Sequence, residues 1–400
     1  MKWVGGAVGL VVVVGLVVAA TLTSTSARAR PVRIGVYTEI ARGVRGEHPC
    51  PTMRCDSRRT GQIKASAGAI TQAIWRLPLV RGGGRGPSHL LSLEHGLLVA
   101  NDSRGLVFVD SAGREQGRAD VGALRETPAV TPSDEIALST QTDDVVVVDL
   151  HGRVRARRRE AAGPYSPTLM LADGTAVWST SDHMVIGLST SDLSDTFRAN
   201  VPSLNRLLPV ELDQDSFAVL SANSGLVLAL SGVLVSTFSS SSFFRGSVSV
   251  SRNGVMWGPA DDGSVVFVEP AQRLNGAARA TLHVAEAPLI AADGSLRLLG
   301  VHEVVATDSR GNVLWTYADA GRRVVSAALD ASATTLVLLQ TATQSGRLVG
   351  LSAEGAEEWA VDFPERPLDA PPTLTDDGVV ALLAYATAAR VETPMVIGFH

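Results

Sequence analysis

A short apolar strand ending on a small polar or acidic residue occurs eight times along this 400-residue chain, and its regular return limits the chain to a repeat architecture. The copies are VFVD ending at Asp110, VVVVD at Asp149, VIGLS at Ser189, VLALS at Ser231, VVFVE at Glu269, VVATD at Asp308, LVGLS at Ser352 and VIGFH at His400. Successive end points differ by 39, 40, 42, 38, 39, 44 and 48 residues. About twenty residues upstream of most copies lies a run opened by Pro, as at Pro128, Pro167, Pro209, Pro288 and Pro372. Asp173-Gly174, Asn253-Gly254, Asp293-Gly294 and Asp377-Gly378 supply the positive-φ residue of a tight hairpin turn. A second strand follows, then the signature strand, then a turn containing Gly and a fourth strand such as VLWTY or EEWAV. Four antiparallel strands in about 40 residues make one propeller blade. The fold expected is all-β: an eight-bladed propeller over residues 68–400.

Ring closure makes its own demand on the sequence. The eighth signature strand ends at His400, so that blade has no fourth strand of its own. Residues 70–79, ITQAIWRLPL, match the fourth-strand pattern, with Trp75 aligned to Trp315 and Trp359. They have no first three strands before them. The expectation is that this N-terminal strand completes the last blade and staples the ring shut.

Two segments precede the ring. Residues 3–20 are unbroken apolar and are followed by TLTSTS and the small-x-small site Ala27-Arg28-Ala29, so residues 1–29 read as a cleaved signal peptide or an uncleaved anchor. Either way the chain is expected to be exported to the periplasm or cell envelope, touching a membrane only through this segment. Residues 30–67 form an irregular lead-in containing Cys50 and Cys55. In an exported chain these two close a small loop as a disulfide; a metal site of His48, Cys50 and Cys55 is the alternative, with three ligands and no second Cys pair.

The repeat DGSLRLLGVHEVVATDSRGNVLWTY resembles those of pyrroloquinoline-quinone-like β-propellers, the group that includes quinoprotein alcohol dehydrogenases and the propeller lipoprotein of outer-membrane β-barrel assembly. TMRCDSRRTG and WRLPL also look like openings of exported bacterial members. The docking pattern of the group, Ala-x-Asp then Gly and Trp, is complete only at Ala306, Asp308, Gly311 and Trp315; elsewhere Phe197 or Phe238 replaces Trp, or Ser replaces Asp. For the dehydrogenases the resemblance implies a quinone stacked at the ring centre, an adjacent-cysteine disulfide and a calcium beside a catalytic Asp. Here the cysteines are not adjacent and precede the ring.

No other chemistry assembles. There is no G-x-S-x-G elbow, H-E-x-x-H helix or P-loop, and RGGGRGPS at residues 81–88 lacks the lysine and helix of a phosphate cradle. His89 and His95 flank a short strand, and Asp143-Asp144, Asp261-Asp262 and Asp376-Asp377 fall in hairpin turns. RVRARRRE, residues 153–160, sits on an outermost strand, where charge guards an open edge; polyanion binding is the alternative. STFSSSSFFR, residues 236–245, joins two blades and carries Phe243 and Phe244. A formal net charge of -5 gives no field for nucleic acid. Catalytic, cofactor and metal residues are expected to be absent. Cys50, Cys55, Trp75, Asp308, Gly311, Trp315 and Trp359 are structural candidates, and the function expected is a monomeric scaffold whose rim loops bind a protein or envelope component. A quinone- or calcium-dependent enzyme and a small-ligand sensor are the alternatives.

Overall fold

The computed structural model describes residues 48, 50, 52–56, 58–81, 88–201, 208–221, 224–239, 247–270, 274–278, 284, 286–388 and 391–400. The signal or anchor segment, the start of the lead-in, residues 82–87 and the Phe243-Phe244 pair lie outside them.

Every signature strand is the third of four in its own antiparallel sheet. Seven sheets are built from four sequence-consecutive strands, as in Leu90–Ser92, Leu98–Asp102, Gly105–Val109 and Glu115–Ala119. The glycines of the Asp-Gly and Asn-Gly turns, among them Gly174 and Gly294, do carry positive φ. In the eighth sheet the short segments Arg366–Pro367 and Thr373–Leu374 both pair with Val380–Ala388, which pairs with Val391–Phe399. The outermost strand of that sheet is Ala73–Pro78, antiparallel to Val391–Phe399 with Trp75 opposite Gly398. The N-terminal strand therefore completes the last blade. The blades are numbered 1 to 8 in the order of their signature strands.

Burial explains why the sheets come as a closed set. Inner and middle strands are buried along most of their length, while outermost strands alternate: Val154–Arg159 and Val313–Ala318 are exposed at every second residue or more. Apolar clusters lie between neighbouring blades, not within them. Leu91, Phe108, Ile136 and Val146 join blades 1 and 2. Val147 and Trp178 join 2 and 3, Val177 and Phe217 join 3 and 4, and Val227 and Met256 join 4 and 5. Trp257 and Leu298 join 5 and 6, and Leu299 and Val337 join 6 and 7. Leu338 and Leu382 join 7 and 8, and Leu98 and Leu383 join 8 back to 1. Eight seams for eight blades leave no free end to the array. A single sheet of this size is marginal in water, whereas a sheet covered on both faces removes its apolar side chains from solvent at roughly 25 cal/mol per Å².

The described part of the irregular lead-in is packed into the ring. His48, Cys50, Thr52, Arg54, Cys55, Asp56, Arg59, Thr60 and Ile63 are all buried. Although the cysteines precede the ring in sequence, in space they lie within it.

Candidate functional site

A propeller offers its functional groups at the axis, at the rims and on the outer edges, and in this molecule the axis is the most built of the three. The innermost strand of each blade has one edge paired in the sheet and the other facing the axis. Backbone groups on that open edge need partners. Residues 48–67 supply them. In blade 1, Cys50 and Ser92 exchange both backbone hydrogen bonds at 3.0 Å. In blade 2, His48 Nε2 lies 3.1 Å from Asp134 Oδ1, while its Nδ1 accepts the Glu94 amide. Thr52 Oγ1 donates to Thr168 O in blade 3 at 3.5 Å, and Arg59 donates to Pro209 O in blade 4 at 2.6 Å. Val250 of blade 5 donates to Arg58 O, Ile290 of blade 6 to Thr60 O and Leu329 of blade 7 to Gly61 O, at 2.8 to 2.9 Å. Blade 8 meets the segment through packing: Cys50, Cys55 and Ile63 share one apolar cluster with Leu374 and Val380. His48 and Arg54 touch opposite blades, 2 and 6, although only six residues apart. A chain that reaches across the ring in so few residues crosses the axis.

The chemistry of this hub is that of buried, satisfied charge. Cys50 and Cys55 are joined as a disulfide, so neither offers a thiolate, and His48 is engaged on both ring nitrogens. No group of metal-ligating side chains is found among the described residues. Arg54 donates to Ala287 O at 2.7 Å and Pro288 O at 3.0 Å; burial lowers its pKa against the opposing pull of Glu286 and Asp56. Burial and then repulsion from Arg54 push the Arg59 guanidinium down to about 10. Burial likewise raises Asp56, although Thr60 bonds its carboxylate from both Oγ1 and the backbone N–H. Glu286 and Asp369, from the approaches to blades 6 and 8, share a hydrogen bond, and burial raises both.

The tryptophan positions form a second constellation, at the seams between blades. Trp75, Trp315 and Trp359 hold the same register, opposite Gly398, Ala306 and Gly350. The indole N–H of Trp75 donates to Ser111 O of blade 1 at 2.7 Å, and that of Trp315 to Ala353 O of blade 7 at 2.7 Å. Gly113 and Gly355, both at positive φ, let each ring lie on the receiving turn; a Cβ at either would sit 2.5 Å from the indole. Trp359 finds no such carbonyl among the described residues. The third and fourth strands of blade 8 come from distant parts of the chain, so no turn links them there. Asp308 shapes its turn by accepting the amides of Arg310 and Asn312, with Gly311 at φ 86°. Burial pushes its pKa up, but these bonds and the Asn312 side chain hold it below the usual value.

The remaining sequence candidates stay apart. His89 bonds Thr127, whereas His95 is exposed on a turn beside Asp376. The Arg-rich outer strand of blade 2 is largely paired: Arg155 with Glu135, Arg157 with Asp144, and Arg158 with Glu160 and Asp195. The Arg198 hydrogen bond, aided by Arg158 against partial burial, holds Asp195 down at about 2.

The fold defines an eight-bladed β-propeller, and solved structures share it. A quinohemoprotein alcohol dehydrogenase from Comamonas testosteroni superposes with a TM-score of 0.64 at 10% identity, over 90% of this chain and 81% of that one. The C-terminal WD40 domain of Sif2 gives 0.61 at 8%, over 83% and 99%. BamB from Moraxella catarrhalis gives 0.48 at 14%, over 84% and 97%. At these identities the likeness of the first two is one of fold alone. No protein-family model and no curated protein sequence matches the chain.

The quinone that the resemblance implies does not fit this axis. The position between the innermost strands is filled by the chain's own Arg54, Asp56, Arg59 and Cys50–Cys55, and the disulfide joins residues five apart, not adjacent ones.

Proposed function

We propose that this protein is an exported, non-catalytic propeller scaffold that binds another protein of the cell envelope. Its role lies nearer to the assembly propellers than to the dehydrogenases. The observation that carries the reading is the filled axis: the place where a propeller enzyme would hold its cofactor is taken by residues 48–67. Catalytic work is thereby left without a chamber, and the outside of the ring remains for contact.

Five of the blades serve as controls for one another on where that contact falls. In five blades a positive-φ Gly follows the signature strand: Gly113, Gly152, Gly232, Gly311 and Gly355. The next three residues are Arg-Glu-Gln in blade 1, Arg-Val-Arg in blade 2, Asn-Val-Leu in blade 6 and Ala-Glu-Glu in blade 7. In blade 4 all three are apolar, Val233, Leu234 and Val235, exposed at 64%, 54% and 61%, whereas blade 6 exposes two, Val313 and Leu314, at 63% and 56%. Clustered exposed apolar side chains mark contact surfaces more often than they mark neglect. The test is affinity capture from envelope extracts with the wild type and with a Val233→Asp/Val235→Asp variant. Loss of one partner from the variant supports the scaffold. Stoichiometric quinone binding with turnover of an alcohol refutes it.

A further inference from the structure

The hub occupies the axis in a shape that its own sequence does not favour. Arg54, Cys55 and Arg59 carry φ of 55°, 69° and 57°, and Gly61 carries 76°. Three of these four are residues that adopt such angles only when their surroundings impose them. Two things impose them here: the spokes from the hub to the inner strands, and the bond between Cys50 and Cys55 that closes the turn around Arg54.

We infer that residues 48–67 are an axial hub of the propeller, distinct from the closure made by Ala73–Pro78, and that the Cys50–Cys55 disulfide is its lock. The two closures use different parts of the chain and different parts of the ring. Ala73–Pro78 pairs at the outer edge of blade 8. The hub pairs at the inner edges of blades 1 and 3 to 7 and reaches blade 2 through His48 and the Asp134 turn, taking the amides of Ser92, Val250, Ile290 and Leu329 that the sheets leave open. Arg54 reaches two carbonyls of blade 6, and Ser249 Oγ reaches both Arg59 O and Pro288 O, so one inner-strand contact supports the next. Without the covalent closure, residues 50–55 gain conformations that no longer aim Arg54 at Ala287 and Pro288. Oxidation of the two thiols passes two electrons and two protons to a disulfide-bearing oxidant by thiol–disulfide exchange; a dithiol reductant returns them. The hub is thus set in an oxidising compartment and released in a reducing one. The inference concerns the axis alone, so it stands or falls separately from partner binding at the outer edges.

Amide hydrogen exchange on the full chain reads the hub directly. The oxidised protein is compared with the same protein after dithiol reduction and with a Cys50→Ser/Cys55→Ser variant. Without the bond, the Val250, Ile290 and Leu329 amides are expected to exchange about tenfold faster or more, while Val396 and Ile397 in the outer closure keep their protection. Unchanged protection at the three amides overturns the lock. Equal loss at both closures overturns the hub as a separate unit. If the double variant does not fold, Arg54→Ala with the disulfide intact serves instead: faster exchange confined to Ile290 and its neighbours supports the hub, and none refutes it. Stoichiometric uptake of pyrroloquinoline quinone with calcium by the oxidised protein would also overturn it, since the axis cannot hold both.

Discussion

Removing one indole from the ring-closing seam gives the sharpest measure of how the propeller holds shut. Trp75 lies on Gly113 of blade 1 and donates to Ser111 O, while Leu77 of the same strand adds apolar packing alone to that seam. Trp→Ala in a core costs about 3–5 kcal/mol, and for a half-buried ring about half of that applies. The lost hydrogen bond adds about 1 kcal/mol. For Trp75→Ala the total is about 3 kcal/mol, which over a ring of this size corresponds to about 4 °C in Tm. Trp359→Ala is the matched control, with the same register opposite a glycine but no indole hydrogen bond to the next blade among the described residues. Thermal unfolding followed by circular dichroism gives the difference. Hydrogen exchange locates it: Trp75→Ala should loosen Ala73–Pro78 and Val391–Phe399 before any other ladder. Equal shifts for the two variants, or loosening that begins at another seam, would refute the reasoning.

Other outcomes follow from the same contacts. A Cβ at Gly350 would lie 2.2 Å from the rigid Trp359 indole, so Gly350→Ala should cost about 1–3 kcal/mol by denaturant titration. Gly254→Ala, with φ 76° and open space around it, should cost about 1 kcal/mol, and the reverse order would contradict the packing account. Glu286 has its folded pKa raised, by burial above all, so its contribution to stability is full below the unfolded pKa and is lost as pH rises through the folded one. Glu286→Gln should therefore raise Tm at pH 7.5 and leave it unchanged near pH 4; a gain of equal size at both would mean that the charge is not the cause. Asp195 runs the other way: its depressed pKa stabilises the fold above the unfolded value of about 4, and that share fades as pH falls toward 2. Because the group is exposed, Asp195→Asn should lower Tm only slightly at pH 7 and not at all near pH 2, with high salt reducing the difference.

How much of the fold is legible in the sequence depends on repetition. The eight signature strands, the Asp-Gly turns and the outer-strand tryptophans each occur several times, and a pattern seen in one copy is checked by the next. The missing fourth strand of blade 8 is legible for the same reason: an array with seven complete units and one incomplete unit names its own missing part, and Trp75 carries the register that Trp315 and Trp359 define. Even the missing carbonyl partner of the Trp359 indole follows from where that strand comes from.

The hub is not legible because it occurs once. Its composition of Arg, Thr, Cys, Gly and Asp is what loops are made of, and neither apolar period nor alternation announces a buried segment. What buries it is a property of the finished ring. Innermost strands such as Ala129–Val130, Leu169–Met170, Ser249–Val250 and Leu289–Ile290 are only two residues long, and they turn an unpaired edge toward the axis. Those open amides and carbonyls need polar partners, and arginines with several donors meet the carbonyls better than any apolar side chain could. The signal in the sequence is therefore indirect: a donor-rich segment, Arg54 to Gly61, immediately ahead of a propeller whose inner edges partner one another only in part, as where Ser92 donates to Leu374 O and Ser249 to Pro288 O. Loop-like composition and full burial are compatible wherever a closed array creates a polar cavity at its own centre.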